Sequence, residues 1–260
     1  MEGLYVISQR VDLFLMVLAR VSGIMQTAPL FSSQRIPALI RIGLAALIAL
    51  LVVIARHEAG PQIVSLFHLA MIIAGEFLLG AVLGYAANLV MAAAQVAGQL
   101  IDMQMGFGIV NVLDPQSGIQ VPLIGNFQYL LALLVLLGID GHHLILSAVV
   151  KSYDFVPLGG MKVDAFVTEF IVKLFCGMWV SAVKIGLPVV AALLVSDLAL
   201  GIIARTVPQM NVFIVGLPVK IGVGFIILLA AIAWYLWLVG ELLQAAFSQI
   251  DLLLRIIGAG

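Results

Sequence analysis

The sequence predicts an all-α membrane protein, and three observations support this class. The 260 residues are 64% hydrophobic and only 10% charged, whereas an ordinary soluble domain has about 25% charged residues. The mean hydropathy is +1.25. Three uncharged runs, residues 77–101, 115–139 and 221–240, exceed the roughly 18 apolar residues that cross a bilayer. These runs predict helices that span a membrane.

Three weaker hydrophobic segments lie around these runs, so we expect about six hydrophobic helical segments. They cover about residues 11–31, 42–55 and 174–200, and the first contains Arg20 while the last contains Pro188. Proline removes a helix hydrogen bond, and a charge at the bilayer centre costs at least ~2.5 kcal/mol. We therefore expect bent and broken helical hairpins. The predicted connections cover residues 32–41, 56–61, 106–118, 140–173 and 206–211.

The chain shows no internal repeat and no soluble domain. We therefore expect a single domain over residues 1–260, with an amphipathic tail over about residues 241–260. Glu2 stands where a secretory leader has basic residues, so we expect the first helix to remain in the mature protein.

Composition and motifs exclude several function classes. Twelve basic and 13 acidic residues give a net charge of −1. A chain with this charge has no positive electrostatic field to attract the phosphates of a nucleic acid. The sequence has no zinc-protease motif, no phosphate-binding loop and no nucleophile elbow. His142 and His143 are adjacent and would point about 100° apart on a helix, so a polar loop is favoured over a metal site. We expect no catalysis, no cofactor and no metal.

One face of the third segment is small or polar. Steps of four residues from Glu76 reach Gly80 and Gly84, and a second row passes through Gly98 and Asp102. Residues four apart share a helix face. Small residues let helix backbones approach closely, and polar residues form hydrogen bonds between helices. The pattern predicts a face that contacts protein rather than lipid.

The length of this stretch is a separate observation. A continuous helix over residues 76–106 would be about 46 Å long, whereas a hydrocarbon core is ~30 Å thick. Either the helix breaks, or it does not simply cross the membrane.

Four charges lie within or beside apolar segments, namely Glu76, Lys184, Asp197 and Lys220. Buried charges in membrane segments often form proton or ion relays. They can equally pair with one another and fix the packing of helices. The sequence leaves both interpretations open.

The loop over residues 103–118 is glycine-rich, apolar and without a basic residue. Irregular backbone at membrane depth is tolerated only when it is buried in protein or lines a cavity. The loop is therefore a candidate constriction or gate, and an ordinary re-entrant turn is the alternative.

Short motifs along nearly the whole chain form one further pattern. Each motif is weak alone, but their order and the chain length make the set specific. The motifs are Arg20 with Pro29, Ile36-Pro37 with Arg41, Glu76 with Gly80 and Gly84, residues 98–106, Asp114-Pro115, Gly141-His142-His143, residues 152–157, residues 208–213 and residues 216–220.

This pattern resembles the FliR family of flagellar export-gate proteins and their counterparts in virulence type III secretion systems. The resemblance implies a non-enzymatic core subunit of the type III export channel, needed for flagellum assembly. Its helices would resemble a fusion of the FliP and FliQ folds within a helical export-gate ring. The implied partners are FliP-like and FliQ-like subunits, FlhB-like and FlhA-like export proteins, unfolded export substrates and membrane lipid.

The resemblance also implies a location and a mechanism. The location is the bacterial inner membrane, as a multi-pass protein of the flagellar basal body. The mechanism is passive gating, because export in this family is driven elsewhere by the proton motive force and a cytoplasmic ATPase. The loop over about residues 106–118 would be the plug that closes the channel.

Two groups of candidate residues follow from the face, the loop and the resemblance. The plug group is Gly106, Phe107, Gly108, Ile109, Val110, Asn111, Asp114 and Pro115. The assembly and packing group is Arg20, Pro37, Arg41, Glu76, Gly80, Gly84, Gly98, Asp102, Pro208, Gln209, Asn211 and Lys220.

Two alternatives stay open. A virulence type III secretion counterpart shares the same motifs. A small secondary transporter would use Glu76, Asp102 and Lys184 for coupling, and it would be expected to show two related halves. We find no such symmetry in the sequence.

Overall fold

The part of the chain that the structure describes is almost entirely helical. The computed structural model describes residues 2–33, 35–56, 60–61, 63–108, 122–160, 165–207, 209 and 211–259. These described residues form seven helices and no strand, which confirms the all-α class. The helices are α1 (Glu2–Thr27), α2 (Ala38–Ala55), α3 (Leu66–Met105), α4 (Leu123–Gly138), α5 (Gly141–Phe155), α6 (Ala165–Thr206) and α7 (Val212–Ala259).

Four of the described helices are long and apolar enough to cross a membrane, which confirms the prediction of a multi-pass membrane protein. They are α2, α3, α6 and α7, and the bent pair formed by α4 and α5 makes a fifth if it is counted as one span. Many large apolar side chains on these helices are exposed, such as Leu39, Leu198 and Leu229. Lipid or other subunits must cover such surfaces.

The prediction of a polar connection over residues 140–173 is wrong for its first part and also for its last part, because residues 165–173 belong to α6. Residues 141–155 form α5, and Ile145, Ala148 and Val149 on one of its faces are buried. Lys151 and Asp154 lie on the exposed side. A short amphipathic helix of this kind is missed when a sequence is divided by its uncharged runs.

The long helices are less interrupted than the sequence suggests. The helix α3 is unbroken over 40 residues, which is about 60 Å. The helices α6 and α7 continue through Pro188 and Pro218. The question left open by the length of the third segment is therefore answered: the helix does not break, and it is longer than a bilayer is thick.

The chain divides into two compact units, and the prediction of one domain over residues 1–260 stays a prediction. The first unit holds residues 1–89, 137–175 and 243–260. Its core is built on α1, α2, the first half of α3, α5 and the end of α7. Fully or almost fully buried members of this core include Val21, Ile24, Leu79, Val149 and Leu253.

The second unit holds residues 90–136 and 176–242. Its core contains Ile101 and Met105 from α3, Ile124 from α4, and Val189 and Leu193 from α6. The Tyr235 hydroxyl of α7 donates a hydrogen bond of 2.6 Å to the Gln128 carbonyl of α4. The polar end of a buried tyrosine is thus satisfied within this unit.

Candidate functional site

The best-defined polar site of the first unit is a buried ion pair between α1 and α3. The Arg20 Nε lies 2.5 Å from Glu76 Oε2, and both side chains are 0% exposed. Taking two charges out of water is expensive unless they are paired and their remaining hydrogen-bonding atoms are satisfied. The hydrogen-bond partners of both side chains therefore decide whether this buried pair can be stable.

The other atoms of this pair have partners too. The Arg20 guanidinium donates to Ser152 Oγ and to the Val156 carbonyl at 3.1 Å, and it lies 4.2 Å from the centre of the Tyr153 ring. The second carboxylate oxygen of Glu76 accepts a 2.8 Å hydrogen bond from the Gly159 amide. The pair therefore links α1 and α3 to the end of α5 and the turn that follows it.

Close contact between α1 and α3 surrounds this pair. A Cβ atom at Gly80 would overlap the Arg20 carbonyl oxygen, and one at Gly84 would overlap the Thr27 hydroxyl. The Thr27 Oγ1 donates to the Ala81 carbonyl at 2.9 Å. The four-residue spacing of these glycines thus permits a close helix crossing, as expected for small residues at a helix interface.

Pro37 and Arg41 lie where the first connection enters α2. Pro37 immediately precedes the helix, and its carbonyl accepts a 3.0 Å hydrogen bond from the Ile40 amide. The Arg41 side chain donates to the Ser33 carbonyl at 3.0 Å and to the Ile36 carbonyl at 3.3 Å. Arg41 therefore holds the connection against the start of α2.

In the second unit, the Asp102 carboxylate caps α4. It accepts hydrogen bonds of 3.0–3.1 Å from the Ile124 and Gly125 amides, and Asp102 is 6% exposed. Pro122, which precedes the helix, has no side-chain acceptor for these amides. A carboxylate at a helix N-terminus is also favoured by the helix dipole. Asp102 thus performs from α3 the capping function that Pro122 lacks.

Gly98 lies one turn before Asp102 on α3 and permits the close approach of α4. A Cβ atom at Gly98 would overlap the backbone of Gly125. The two glycines and the cap therefore define one contact between α3 and α4. Gly98 and Asp102 belong to the same predicted row, and the structure brings both to this contact.

The plug group is described only at its beginning. Gly106 has φ of 90°, and its amide donates to the Met103 carbonyl while the Phe107 amide donates to the Asp102 carbonyl. These two bonds form a Schellman motif, which ends α3 and favours glycine at the left-handed position. Phe107 packs against the core of the second unit, and a Cβ atom at Gly108 would meet open space. Outside the described residues lie Ile109, Val110, Asn111, Asp114 and Pro115.

The last four members of the packing group are Pro208, Gln209, Asn211 and Lys220. The Lys220 Nζ lies 2.7 Å from Asp197 Oδ1, and both side chains are partly exposed. Gln209 is exposed, and the Asn211 carbonyl accepts hydrogen bonds from two amides at the start of α7. Pro208 lies outside the described residues.

Three of the four charges that the sequence left open take part in ion pairs. Glu76 pairs with Arg20 in the first unit, and Asp197 pairs with Lys220 in the second. Lys184 is exposed and forms no ion pair with a described residue. This geometry favours pairing and packing over a relay.

The sequence analysis missed two glycines of these contacts. Gly23 faces α3, where an added Cβ would overlap the Phe77 carbonyl, and Gly125 faces α3 at the second contact. The spacing of Gly23 and Thr27, four residues apart on α1, is a signal that would have identified the first. Gly125 has no such signal, because no small residue of α4 lies four positions from it.

Comparison with known proteins identifies the family to which this chain belongs. Residues 11–246 match the family of bacterial export proteins, family 1. The chain is 40% identical to the flagellar biosynthetic protein FliR of Bacillus subtilis over 251 residues, covering 94% of this chain and 95% of that protein. It is 29% identical to the FliR protein of Escherichia coli over 239 residues, covering 92% and 90% of the two chains. The chain therefore belongs to the FliR family of bacterial export proteins.

Proposed function

We propose that this chain is a membrane subunit of the flagellar type III export channel and forms part of the conduit for unfolded proteins across the inner membrane. The observation that carries the proposal is the 40% identity to a flagellar biosynthetic protein over 94% of the chain. The Arg20–Glu76 ion pair and the Asp102 cap lie within the matched residues 11–246. The flagellar apparatus is favoured over a virulence system because the relatives named above are flagellar proteins.

The lengths of the helices support a place inside an assembly. The helices α3, α6 and α7 have 40, 42 and 48 residues, or about 60–72 Å. A hydrocarbon core is ~30 Å thick. Helices of this length extend well beyond one bilayer, and apolar side chains on the parts outside the hydrocarbon core need protein to cover them. FliP-like and FliQ-like subunits in a ring are the proposed cover, with FlhB-like and FlhA-like proteins beside it.

The buried charges support a structural role rather than catalysis. Arg20 and Glu76 form an ion pair with each other, and the Asp102 carboxylate accepts hydrogen bonds from backbone amides. None of these groups has a free functional atom directed at a cavity among the described residues. The proposed mechanism is passive gating, and other components of the apparatus supply the energy for export.

The loop that follows α3 is the proposed plug of the channel. Its first residues leave the helix at the Gly106 turn, and Phe107 packs on the apolar core of the second unit. Deletion of residues 107–112 in the assembled complex should raise the leakage of small ions, because it removes apolar side chains that would seal the pore. Unchanged conductance in a deletion variant that still assembles would refute the plug.

Co-purification tests the proposed assembly. The chain is tagged at its C-terminus, native membranes are solubilised in mild detergent, and every subunit that stays bound through size exclusion is identified. FliP-like and FliQ-like proteins in fixed stoichiometry within a large particle are the expected result. A protein that runs alone, while an unrelated tagged membrane complex from the same membranes stays intact, would overturn the proposal.

A further inference from the structure

The corner between α4 and α5 carries three side chains that bind metals in proteins. Asp140, His142 and His143 each offer one ligand atom, and these atoms all lie within 4.8 Å of one another. The ring centroids of the two histidines are 4.3 Å apart, and the ring planes are tilted by 38°. The prediction of a polar loop at these histidines is wrong, because both lie in the first turn of α5.

The two rings meet although adjacent residues of a helix point about 100° apart. Consecutive Cα atoms are only 3.8 Å apart, so rotation about the side-chain bonds can bring two imidazole rings together. Asp140 has a left-handed backbone, with φ of 55° and ψ of 31°, and precedes the helix. Its carboxylate lies beside the rings and adds a third ligand, which the two-residue argument from the sequence left out.

Two polar groups of this cluster lack the partners that such groups usually have. The His142 Nδ1 is buried and has no hydrogen-bond partner among the described residues. Burial of a polar atom without a hydrogen-bond partner is unfavourable. Asp140 stands at the N-cap position, where an aspartate usually bonds to the amides of the first turn, yet its side chain makes no capping hydrogen bond. Both groups are therefore available to a ligand.

We propose that this corner binds one Zn²⁺ ion through Asp140, His142 and His143. Zinc prefers imidazole nitrogen and carboxylate oxygen at about 2.0–2.2 Å, and three protein ligands with one open position are common. Ligand atoms of a tetrahedral site lie about 3.3 Å apart by this geometry, so the side chains have to close by about 1.5 Å. Asp140 and His143 are exposed, which leaves them free to rotate and leaves the fourth position to water.

Electrostatics at the corner both oppose and support a cation. The N-terminus of α5 carries a partial positive charge, which opposes a nearby cation. The Asp140 carboxylate provides a full negative charge beside the same turn. The bound ion would link the residue before α5 to its first turn, so Zn²⁺ is expected to stabilise the corner increasingly as the free Zn²⁺ concentration rises above the dissociation constant.

The test is Zn²⁺ binding by the full chain, purified without a histidine tag in detergent micelles. Titration calorimetry should give one Zn²⁺ per chain, and Co²⁺ used as an optical probe should give the visible absorption of a four-coordinate site. His143→Ala and Asp140→Asn should each weaken binding by about 100-fold or more, since loss of even an outer-shell partner weakens metal sites by about 10- to 100-fold.

His68→Ala is the matched control, because His68 is an exposed histidine on α3 outside the cluster. The Zn²⁺ affinity of the His68→Ala variant should equal that of the unaltered chain. The altered side chains of the test and control variants are exposed, so folding is not at risk, and circular dichroism confirms the helix content. Absence of stoichiometric binding, or equal affinity in His143→Ala and His68→Ala, would overturn the proposal.

Discussion

Glu76→Ala should destabilise the folded chain strongly. The substitution removes both carboxylate oxygens. One accepts a 2.5 Å hydrogen bond from the Arg20 Nε, and the other accepts a 2.8 Å hydrogen bond from the Gly159 amide. The Arg20 guanidinium, which is 0% exposed, then keeps only neutral partners. Breaking a buried ion pair by removing one partner costs about 3–5 kcal/mol, because an uncompensated charge stays buried. We expect the free energy of unfolding to fall by about that amount.

The double variant Arg20→Met with Glu76→Met distinguishes the effect of an unpaired buried charge from the effect of lost side-chain packing. Replacement of both members of a buried pair by apolar residues of similar volume is often neutral or stabilising. The double variant should therefore recover most of the stability that Glu76→Ala loses. Glu169→Ala is a matched control, since Glu169 is an exposed acidic residue, and changes at such positions usually stay within about 0.5 kcal/mol.

The assay is reversible unfolding of the purified chain in mixed micelles, with helix content followed by circular dichroism as the fraction of denaturing detergent rises. The midpoint for Glu76→Ala should lie well below those of the unaltered chain and Glu169→Ala. The reasoning is refuted if Glu76→Ala and Glu169→Ala unfold at the same midpoint. It is also refuted if the double variant is less stable than Glu76→Ala.

Two further predictions concern α3. Asp102→Asn should expose the first turn of α4 to faster amide hydrogen exchange, with a loss of about 0.5–2 kcal/mol for the cap; exchange equal to that of the unaltered chain would count against the cap. Gly80→Ala should separate α1 from α3 and lower the unfolding midpoint, because its Cβ would overlap backbone, whereas Gly43→Ala on α2 meets nothing within 4 Å. Equal midpoints for the two glycine variants would contradict the close crossing.

The sequence predicted the faces of the helices better than their partners. The four-residue spacing of Glu76, Gly80 and Gly84 identified a packing face, since this spacing is fixed by helix geometry. It did not identify Arg20 as the partner of Glu76, because the two lie 56 positions apart and only the tertiary fold brings them together. The resemblance placed Arg20 in the same packing group as Glu76, but it did not indicate that the two side chains contact each other.

Two other differences have physical reasons. The helix α5 was missed because its charges interrupt the hydrophobic run, while its buried residues recur on one face only. The Asp102 cap was not predicted because a carboxylate that caps a helix from another element leaves no local pattern; residues 102 and 124 are 22 positions apart. The roles assigned to the plug group stay predictions, since most of that group lies outside the described residues.

The most direct test of the central claim is a site-specific cross-link to a protein in transit. A photoreactive amino acid replaces Phe107 at the start of the proposed plug, and a control chain carries it at Leu39, which is 82% exposed on α2. Cells then express an exported flagellar protein fused to a folded domain that halts its passage. We expect the halted protein to cross-link at position 107 and not at position 39. Assembled complexes that cross-link at neither position, or equally at both, would contradict a conduit that passes this loop.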